Sequence, residues 1–435
     1  PAADEFCDGL DNDCSGAADD GLWPDGDGDG YGDSSPEPGP CFVSWIPLGG
    51  DCDDTDPAVF PGELERCNLA NDGCRDGWTE SDELGRVTWT DGASAEDWSG
   101  LFSAGRAERP VTIPLPADGA LHICPAEEDW WVLLTATDPD GLQLIGHAIA
   151  LEEGAEPSRP VLSGASAGTV LSVVGGELSV AGLQLSAAHG AGIDARNMAS
   201  LSVEDCLIQS NIAVVSAGLG GAGAYLDAVD LAVFTDTTFA GNFAGDFPEN
   251  PLSGGGLSIR DSSVTVQDSR FEKNYAYLSG GAIQLWSGTL WVEDTDFIDN
   301  WTNITGGDFA GEAGSTASFE EGRFSGSEAA LGAALRVSGD VTLDDCTFTR
   351  PAASTFASVA YLDPGASLEA AGVAAREVSV PVENDCTGDL PRYPDVAVAL
   401  VDDPVCDEII FCAISTDTFE CRDGACTKID CQEPL

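Results

Sequence analysis

A short phrase that recurs between about residues 190 and 351 constrains the fold of this chain more than any other feature. Each copy carries one large apolar residue, and in order these are Ile208, Phe239, Phe271, Phe297, Phe324 and Phe348, spaced 31, 32, 26, 27 and 24 residues apart. Four copies have an asparagine three places later, at Asn211, Asn242, Asn274 and Asn300. Glycine pairs separate the copies, at 220–221, 255–256, 280–281 and 306–307. A repeat of this length, with alternating apolar residues and no helical periodicity, is typical of a β-solenoid.

The residues within each phrase support stacked coils. In the stretch 264–266 (Val-Thr-Val) every second side chain is apolar, so one face of the strand would point inward. Stacking would bury a column of aromatic rings, with neighbouring strands about 4.8 Å apart. We expect the aligned asparagines to form an internal ladder of amides at a bend, and the glycine pairs to form tight corners. The alternative is a β-sandwich in which the spacing is coincidental.

The GGAI stretch at 280–283 and the FxxN stretch at 271–274 resemble the repeats of polymorphic outer membrane proteins and related right-handed parallel β-helices. The resemblance implies an all-β chain whose right-handed parallel β-helix covers residues 108–381, in roughly nine or ten coils. Residues 81–107 would then be a linker and solenoid cap. Residues 382–435 would form a small disulfide-rich C-terminal domain.

Charge and cysteine content limit the possible partners and compartments. The chain has 76 acidic and 17 basic residues, for a net charge of −59. Such a chain repels nucleic acid and anionic membranes, so we expect neither as a partner. No apolar run approaches the ~20 residues of a membrane span, so we expect no membrane insertion. Fifteen cysteines, many closely spaced, favour an oxidising compartment and therefore a secreted or cell-surface, extracellular protein.

Residues 1–80 are rich in Asp, Gly and Cys and too poor in apolar residues to fold on a hydrophobic core. Carboxylates at alternate positions of a glycine-rich loop suit Ca²⁺, which takes six to eight oxygen ligands. The candidate ligands fall in three loops: Asp25, Asp27, Asp29, Tyr31 and Asp33; Asp11, Asp13, Ser15 and Asp19; and Asp51, Asp53, Asp54, Asp56 and Glu63, with Glu65 as an alternative to Glu63. The competing hypothesis is an acidic arm without structure.

One pattern of Glu and Cys spacing occurs near both ends of this segment. A Glu precedes a Cys by two places and a second Cys follows seven places later, in 5–14 and again in 65–74. We predict disulfides Cys7–Cys14, Cys41–Cys52 and Cys67–Cys74. The segment resembles a metal-binding motif of secreted bacterial proteins, and its loops resemble thrombospondin type 3 repeats.

The remaining cysteines fall into two groups. Cys206 and Cys346 share one position of the repeat several coils apart, too far for a bridge, and are predicted to be buried thiols. The C-terminal domain contains the cysteines predicted to form disulfides there: Cys386, Cys406, Cys412, Cys421, Cys426 and Cys431. An Asp-Gly turn at 423–424 would place Cys421 opposite Cys426 in a hairpin. The apolar stretch 396–401 could add as an edge strand to this molecule or to a neighbour.

Two classes of function compete. A polysaccharide-degrading lyase or hydrolase would need a base or paired carboxylates on the solenoid flank, where Arg270 and Asp296 lie on adjacent coils. The acidic residues 268, 294 and 345 recur at turns, where Asp is expected for local hydrogen bonding, and we assign no catalytic residue. His122 and His147 lie in strand-like runs and are expected to be structural.

We therefore predict a calcium-binding structural or adhesive surface protein, such as an adhesin or the subunit of a head-to-tail filament. Its partners would be copies of itself, or a surface glycan or protein. Asn300 and Asn303 each begin an N-glycosylation pattern.

Overall fold

The structure is a computed structural model. It describes residues 7–12, 14, 17–19, 22–33, 45–63, 65, 70–79, 84–91, 94–103, 109–149, 158–213, 220–245, 252–356, 359–363, 365–376, 396–399, 412–414, 418–422 and 425–429. Contacts divide the chain into two units. Unit 1 comprises Pro1–Gly100, Leu121–Glu127 and His147–Arg159; unit 2 comprises Leu101–Ala120, Glu128–Gly146 and Pro160–Leu435.

Unit 2 is a parallel β-helix whose strands stack into three long sheets and one short sheet. Sheet A contains Val111–Pro114, Trp130–Thr137, Leu171–Val174, Ile193–Arg196, Ala224–Asp227, Leu257–Arg260, Ile283–Leu285, Phe309–Gly311, Leu335–Val337 and Ala360–Leu362. Sheet B contains Asp140–Gly146, Glu177–Ala181, Ser200–Glu204, Leu231–Thr235, Ser262–Gln267, Gly288–Glu293, Thr316–Glu320, Asp340–Asp344 and Ser367–Ala371. Sheet C contains Val161–Ser163, Gln184–Ser186, Leu207–Gln209, Thr238–Ala240, Arg270–Glu272, Asp296–Ile298, Arg323–Ser325, Thr347–Thr349 and Ala374–Arg376. The short sheet D contains Ile212–Ala213, Phe243–Ala244, Tyr275–Ala276, Trp301–Thr302, Glu328–Leu331 and Ala352–Phe356.

From Leu171–Val174 onward, each coil contributes one strand to each of sheets A, B and C, and these strands pair in parallel with those of the coils before and after. The alternation in the sequence therefore becomes an inner and an outer face: Val264 and Val266 are buried, whereas Thr265 between them is partly exposed. The predicted all-β parallel β-helix is confirmed.

The apolar residues of the repeat form the predicted column inside the β-helix. Phe239, Phe271, Phe297, Phe324 and Phe348 lie opposite one another in sheet C, and each is at most 2% exposed. Successive ring centroids are 4.6, 5.2, 4.6 and 4.6 Å apart, with nearly parallel rings. Burying each ring contributes about 1.5–3 kcal/mol, and stacking adds about 0.5–1.5 kcal/mol per pair. The column therefore adds to the cohesion that the hydrogen-bonded sheets provide between coils.

The asparagines of the repeat form the predicted internal ladder at the bend after sheet C. Each Nδ2 donates to the next Oδ1, over 3.0, 2.9 and 3.0 Å, in the order Asn211, Asn242, Asn274, Asn300. The ladder ends on Asp308, whose Oδ1 accepts from Asn300 over 2.9 Å and whose Oδ2 accepts from Ser327. Asn300 also donates to the carbonyl of Phe271, so both hydrogens of this fully buried amide are engaged inside the β-helix. Asn303, the start of the second glycosylation pattern, is exposed.

The corner between sheets B and C explains the recurring acidic residues. One residue at this corner has a positive φ in successive coils, at Asp205, Asp236, Asp268, Asp294, Glu321 and Asp345. Asp tolerates left-handed backbone better than most residues, so this recurrence has a conformational cause. In five of these six coils the next residue carries a hydroxyl or thiol that donates to the carbonyl two places earlier, as Thr295 does to Glu293 and Cys346 does to Asp344. In the sixth coil, Gly322 follows Glu321. Cys206 and Cys346 are buried thiols, as predicted.

A tight corner follows sheet D, as the paired glycines predict. A Cβ on Gly281 would lie 2.2 Å from the carbonyl oxygen of Gly307 in the next coil, closer than any real contact.

After the last sheet A strand, Val396–Ala399 adds antiparallel to Ala360–Leu362, and Cys412–Ile414 adds antiparallel to Val396–Ala399. The stretch therefore extends this molecule's own sheet, one of the two outcomes considered.

A hairpin near the C-terminus pairs Thr418–Arg422 with Ala425–Ile429. Its register places Cys421 opposite Cys426, as the turn residues predict.

Unit 1 has short strands. Trp23–Pro24 pairs antiparallel with Trp45–Ile46, and Gly32–Asp33 pairs parallel with Gly49–Asp51. Val87–Thr90 pairs antiparallel with Ala95–Asp97. The five-residue helix Ser99–Ser103 crosses the division between the units. Within the described part of the chain, no helix combines the length and the apolar character needed to cross a bilayer.

Candidate metal centre

The loop formed by residues 25–33 is held by its own carboxylates. Asp25 accepts a hydrogen bond from the backbone N–H of Gly28 over 2.6 Å, Asp27 from that of Asp29 over 3.2 Å, and Asp29 from that of Tyr31 over 2.7 Å. Each bond occupies only the Oδ1 atom. Carboxylate oxygens of Asp25, Asp27 and Asp29 lie within 4.8 Å of one another. The loop thus gathers three carboxylates in a volume where they repel each other.

A second loop, residues 51–56, approaches the first, although the two are distant in sequence. The backbone N–H of Gly26 donates to Oδ1 of Asp54 over 2.8 Å. A Cβ on Gly26 would lie 2.7 Å from both the carbonyl oxygen and Oδ2 of Asp54, so only glycine allows this approach. The parallel pairing of Gly32–Asp33 with Gly49–Asp51 sets the position of Asp51 at the start of the second loop. Sequence reasoning treated the two loops as separate candidate sites, whereas the structure brings them together.

Three carboxylate oxygens at this junction are buried and have no hydrogen-bond partner: Oδ2 of Asp27, Oδ2 of Asp29 and Oδ2 of Asp51. Asp51 is only 1% exposed, and its Oδ1 accepts from the N–H of Asp53 over 3.0 Å. Leaving a charged oxygen buried and unpaired is costly, so a native protein supplies a partner. A cation bound at this junction would supply such a partner.

The pKa shifts at the junction also favour a bound cation. Burial raises the pKa of Asp51 above its ordinary value, and the charges of Asp29, Asp27 and Asp54 raise that pKa further. Burial also raises the pKa of Asp29, to which the charges of Asp27, Asp25 and Asp54 add. The two carboxyl groups therefore each respond to the other loop. A bound cation would remove this repulsion and favour the ionised forms.

The donor set fits a hard cation. Asp25, Asp27, Asp29, Asp51 and Asp54 offer only oxygen, the ligand that Ca²⁺ and Mg²⁺ prefer. The sulfur atoms nearest to Asp51 belong to Cys52 and Cys74, which are bonded to each other and so provide no thiolate. Among the described residues of this junction there is no histidine. The site would hold a cation between two loops and fix their separation.

The other predicted ligands have varied surroundings. Tyr31 stacks on Phe60 with ring centroids 5.4 Å apart, and Asp33 lies in the strand Gly32–Asp33. Asp53 accepts from the hydroxyl of Thr55 over 2.6 Å, and Asp56 from the N–H of Ala58 over 3.1 Å. Both bonds stabilise local turns.

Glu63 is partly exposed, whereas Glu65 is 3% exposed, with Oε1 bonded to Arg75 and Oε2 buried without a partner. In the remaining loop, Asp19 accepts from the N–H groups of Asp8 and Gly9, over 2.9 and 2.8 Å. Asp11 is exposed, and Asp13 and Ser15 lie outside the described residues.

The predicted disulfide pairing of the module is wrong. Cys52 is bonded to Cys74, with Cα atoms 5.5 Å apart, so neither Cys41–Cys52 nor Cys67–Cys74 forms. Cys14 is an exposed free thiol, which excludes Cys7–Cys14, although Cys7 is disulfide-bonded.

The prediction paired cysteines that are close in sequence. The fold instead brings the end of strand Gly49–Asp51 against the loop 70–74, where the N–H of Cys52 lies 3.0 Å from Sγ of Cys74. Cys41, Cys67, Cys386, Cys406 and Cys431 lie outside the described residues, and nothing is described of the side chains at 412, 421 and 426. Cys124, which the sequence did not assign, is also disulfide-bonded.

The residues considered for catalysis form surface ion pairs. Arg270 and Asp296 are opposite in sheet C, but Arg270 pairs with Glu272 over 3.0 Å and Asp296 with Arg323 over 2.5 Å. Such exposed pairs typically contribute at most about 1 kcal/mol.

Two histidines that are 25 residues apart in the sequence, His122 and His147, are in contact in the structure. His122 Nδ1 and His147 Nε2 are 3.0 Å apart with stacked rings, and burial lowers the pKa of His147 to about 4, helped by His122.

Comparison with known protein families adds two matches. The model described as "Right handed beta helix region" matches residues 189–361. The model named Cu-binding MopE, described as "Putative metal-binding motif", matches residues 1–20 and 51–77, on either side of the loop at 25–33. No curated protein and no solved structure matches the chain. The chain is therefore similar to right-handed β-helix proteins over its central part and to a MopE-like metal-binding motif at its N-terminal end.

Proposed function

We propose that the N-terminal module binds Ca²⁺ between loops 25–33 and 51–56, and that the chain is an extracellular structural or adhesive protein with a β-helical shaft. The observation that carries the metal site is the set of three buried carboxylate oxygens without partners, on Asp27, Asp29 and Asp51. Asp25 and Asp54 complete the group of nearby oxygen donors. Bound Ca²⁺ would supply the cohesion that a module so poor in apolar residues cannot obtain from a hydrophobic core.

Calcium is favoured over copper by the donor atoms. The name of the matching family model refers to copper, which prefers nitrogen and sulfur ligands. The described residues at this junction offer carboxylate oxygens, which suit Ca²⁺. Mg²⁺ uses oxygen too, but it demands strict octahedral geometry and usually keeps several waters. Mg²⁺ is usually held by one or two protein carboxylates, so a site with three fits the larger ion better.

Titration calorimetry on the full chain tests this assignment. Separate titrations with Ca²⁺, Mg²⁺ and Cu²⁺ should give the tightest binding for Ca²⁺. Asp51→Asn should weaken Ca²⁺ binding at least about tenfold, because a neutral amide replaces the most buried ligand. Asp76→Asn, a change at an exposed residue of the same module, is the matched control and should leave the affinity unchanged. Tighter binding of Cu²⁺ that survives Asp51→Asn would contradict the proposal.

The structural role rests on the module being ordered by the cation. Limited proteolysis with and without chelator should cut residues 1–80 faster when Ca²⁺ is removed, while the β-helix stays protected. Equal protection of the module in both conditions would show that the ion does not hold it together.

The extracellular location is supported by the disulfide Cys52–Cys74 and the high cysteine content. The expected partners are further copies of the chain, or a surface glycan or protein. Light scattering and electron microscopy of the purified chain in Ca²⁺ would distinguish a filament subunit from a monomeric adhesin.

A further inference from the structure

Sheet D carries a line of large side chains on its outer face. Ile212, Phe243, Tyr275 and Trp301 occupy the same register position in four successive coils, and Glu328 occupies it in the fifth. Trp301 points away from the core: it is 41% exposed, whereas the next residue, Thr302, is buried. An exposed indole that is held in one position and surrounded by polar groups indicates an interaction site.

Neighbouring side chains fix the position of Trp301. Its ring centroid lies 4.0 Å from that of Tyr275, which in turn lies 4.5 Å from that of Phe243. The hydroxyl of Tyr275 accepts a hydrogen bond from Nδ2 of Asn303 over 2.8 Å. The indole is therefore supported on one side and open on the other. Binding of a ligand would therefore not be weakened by the free-energy cost of ordering the indole.

An open cavity of about 290 Å³ lies beside the indole, lined by Asp299, Trp301, Gly326 and Glu328. Gly326 has a φ of +70°, and a Cβ there would lie 2.2 Å from Oδ1 of Asp299. The missing side chain thus leaves room for the Asp299 carboxylate at the wall of the cavity. Two carboxylates and one aromatic face converge on a single space.

Both carboxylates are available to a ligand. Among the described residues, no Lys, Arg or His forms an ion pair with Asp299 or Glu328. Lys273, on the coil before Asp299, is within electrostatic range of it, but its amino group pairs with Glu272 over 2.6 Å. The cavity therefore has excess negative charge, in a chain whose net charge is already −59.

We propose that this cavity binds the guanidinium group of an arginine side chain on a partner protein. A planar guanidinium stacks on an indole face while its N–H groups donate to carboxylates at the edge, a combination that a compact ammonium cannot match. The acidic surface would draw a basic segment towards the site. The site is independent of the Ca²⁺ site and should function in the presence of chelator.

The experiment follows Trp indole N–H signals by NMR on the ¹⁵N-labelled full chain in 0.3 M NaCl, where long-range attraction is screened. The probe is N-acetyl-arginine methylamide. The signal of Trp301, identified by its loss in Trp301→Ala, should shift and saturate. The signal of Trp291, which is 38% exposed on sheet B, should not move. N-acetyl-lysine methylamide should bind more weakly than the arginine probe.

Two double variants separate the site from bulk charge. Asp299→Asn with Glu328→Gln should weaken binding about fivefold, the expected effect of losing two exposed charge pairs. Glu204→Gln with Asp230→Asn removes the same charge from exposed positions on earlier coils and should leave affinity unchanged.

Three results would overturn the proposal: equal shifts at Trp301 and Trp291, equal weakening in both double variants, or a shift of Trp301 with methyl glucoside but not with the arginine probe. The last result would indicate a sugar site instead.

Discussion

Replacing Asp308 with asparagine tests how much an ionised carboxylate destabilises the interior of the β-helix. Asp308 is fully buried and receives hydrogen bonds from Asn300 and Ser327. An amide at this position can keep both contacts: its oxygen accepts from Asn300, and its nitrogen donates to the hydroxyl oxygen of Ser327. The substitution thus removes a charge while preserving shape and hydrogen bonding.

The size of the effect follows from the pKa. Burial raises the pKa of Asp308 from 3.8 to about 7, despite the hydrogen bonds from Ser327 and Asn300. Because the folded value is the higher one, stability is lost as pH rises from the unfolded pKa to the folded pKa, and the full cost remains at higher pH. At 1.36 kcal/mol per unit, that cost is about 4 kcal/mol at pH 8 and below about 2 kcal/mol at pH 5. Asp308→Asn should therefore stabilise these coils, and more so at pH 8.

Native-state hydrogen exchange is the suitable assay, because a solenoid can open coil by coil and need not unfold in one step. Exchange in peptides covering residues 297–327 is compared between variant and parent at the same pH. Asp340→Asn, at an exposed position of sheet B, is the control and should change little. Equal stabilisation at pH 5 and pH 8, or destabilisation at both, would refute the reasoning, because neither follows from an ionisation cost.

Three further predictions concern the core and the thiols. Phe297→Ala should lower the free energy of unfolding of the surrounding coils by about 3–5 kcal/mol, seen as a lower urea midpoint, whereas the exposed control Trp291→Ala should cost less than about 1 kcal/mol. Asn274→Ala should cost at least about 1–3 kcal/mol and speed amide exchange in adjacent coils, because it leaves buried ladder groups unpaired; unchanged exchange would show that the ladder is dispensable. In native protein iodoacetamide should label the exposed Cys14 but not Cys346, because burial raises the pKa of Cys346 to about 11; labelling of Cys346 before denaturation would contradict its burial.

Much of the β-helix could be predicted because each coil repeats the same few constraints. The aromatic column and the asparagine ladder need one residue per coil at a fixed place, and Phe271 and Asn274 show that place directly in the sequence. Asp308 could not be predicted in the same way. It lies outside the repeated phrase and reaches the ladder only because the coil folds back on itself.

The metal centre was harder to predict because it depends on contacts between loops. Alternating aspartates identified Asp25, Asp27 and Asp29 as candidates, but nothing local indicates that Asp51 lies near them. The same difficulty defeated the disulfide prediction, since Cys52 and Cys74 are 22 residues apart and nearer partners were available. Gly26 is the one residue that could have indicated the contact with the second loop, because a glycine within an acidic loop can mark the close approach of another backbone.

Much of the unequal length of the coils lies in one corner. From Glu177–Ala181 onward, two residues separate the sheet B strand from the sheet C strand of each coil. The segment from sheet D to the next sheet A strand instead runs from Ala213 to Ala224 in one coil and from Ala276 to Ile283 in another. Coils of different length therefore stack with sheet C strands still in register, as Phe239 opposite Phe271 shows. That edge is where a foreign peptide could be grafted, with several copies presented in a row at the pitch of the coils.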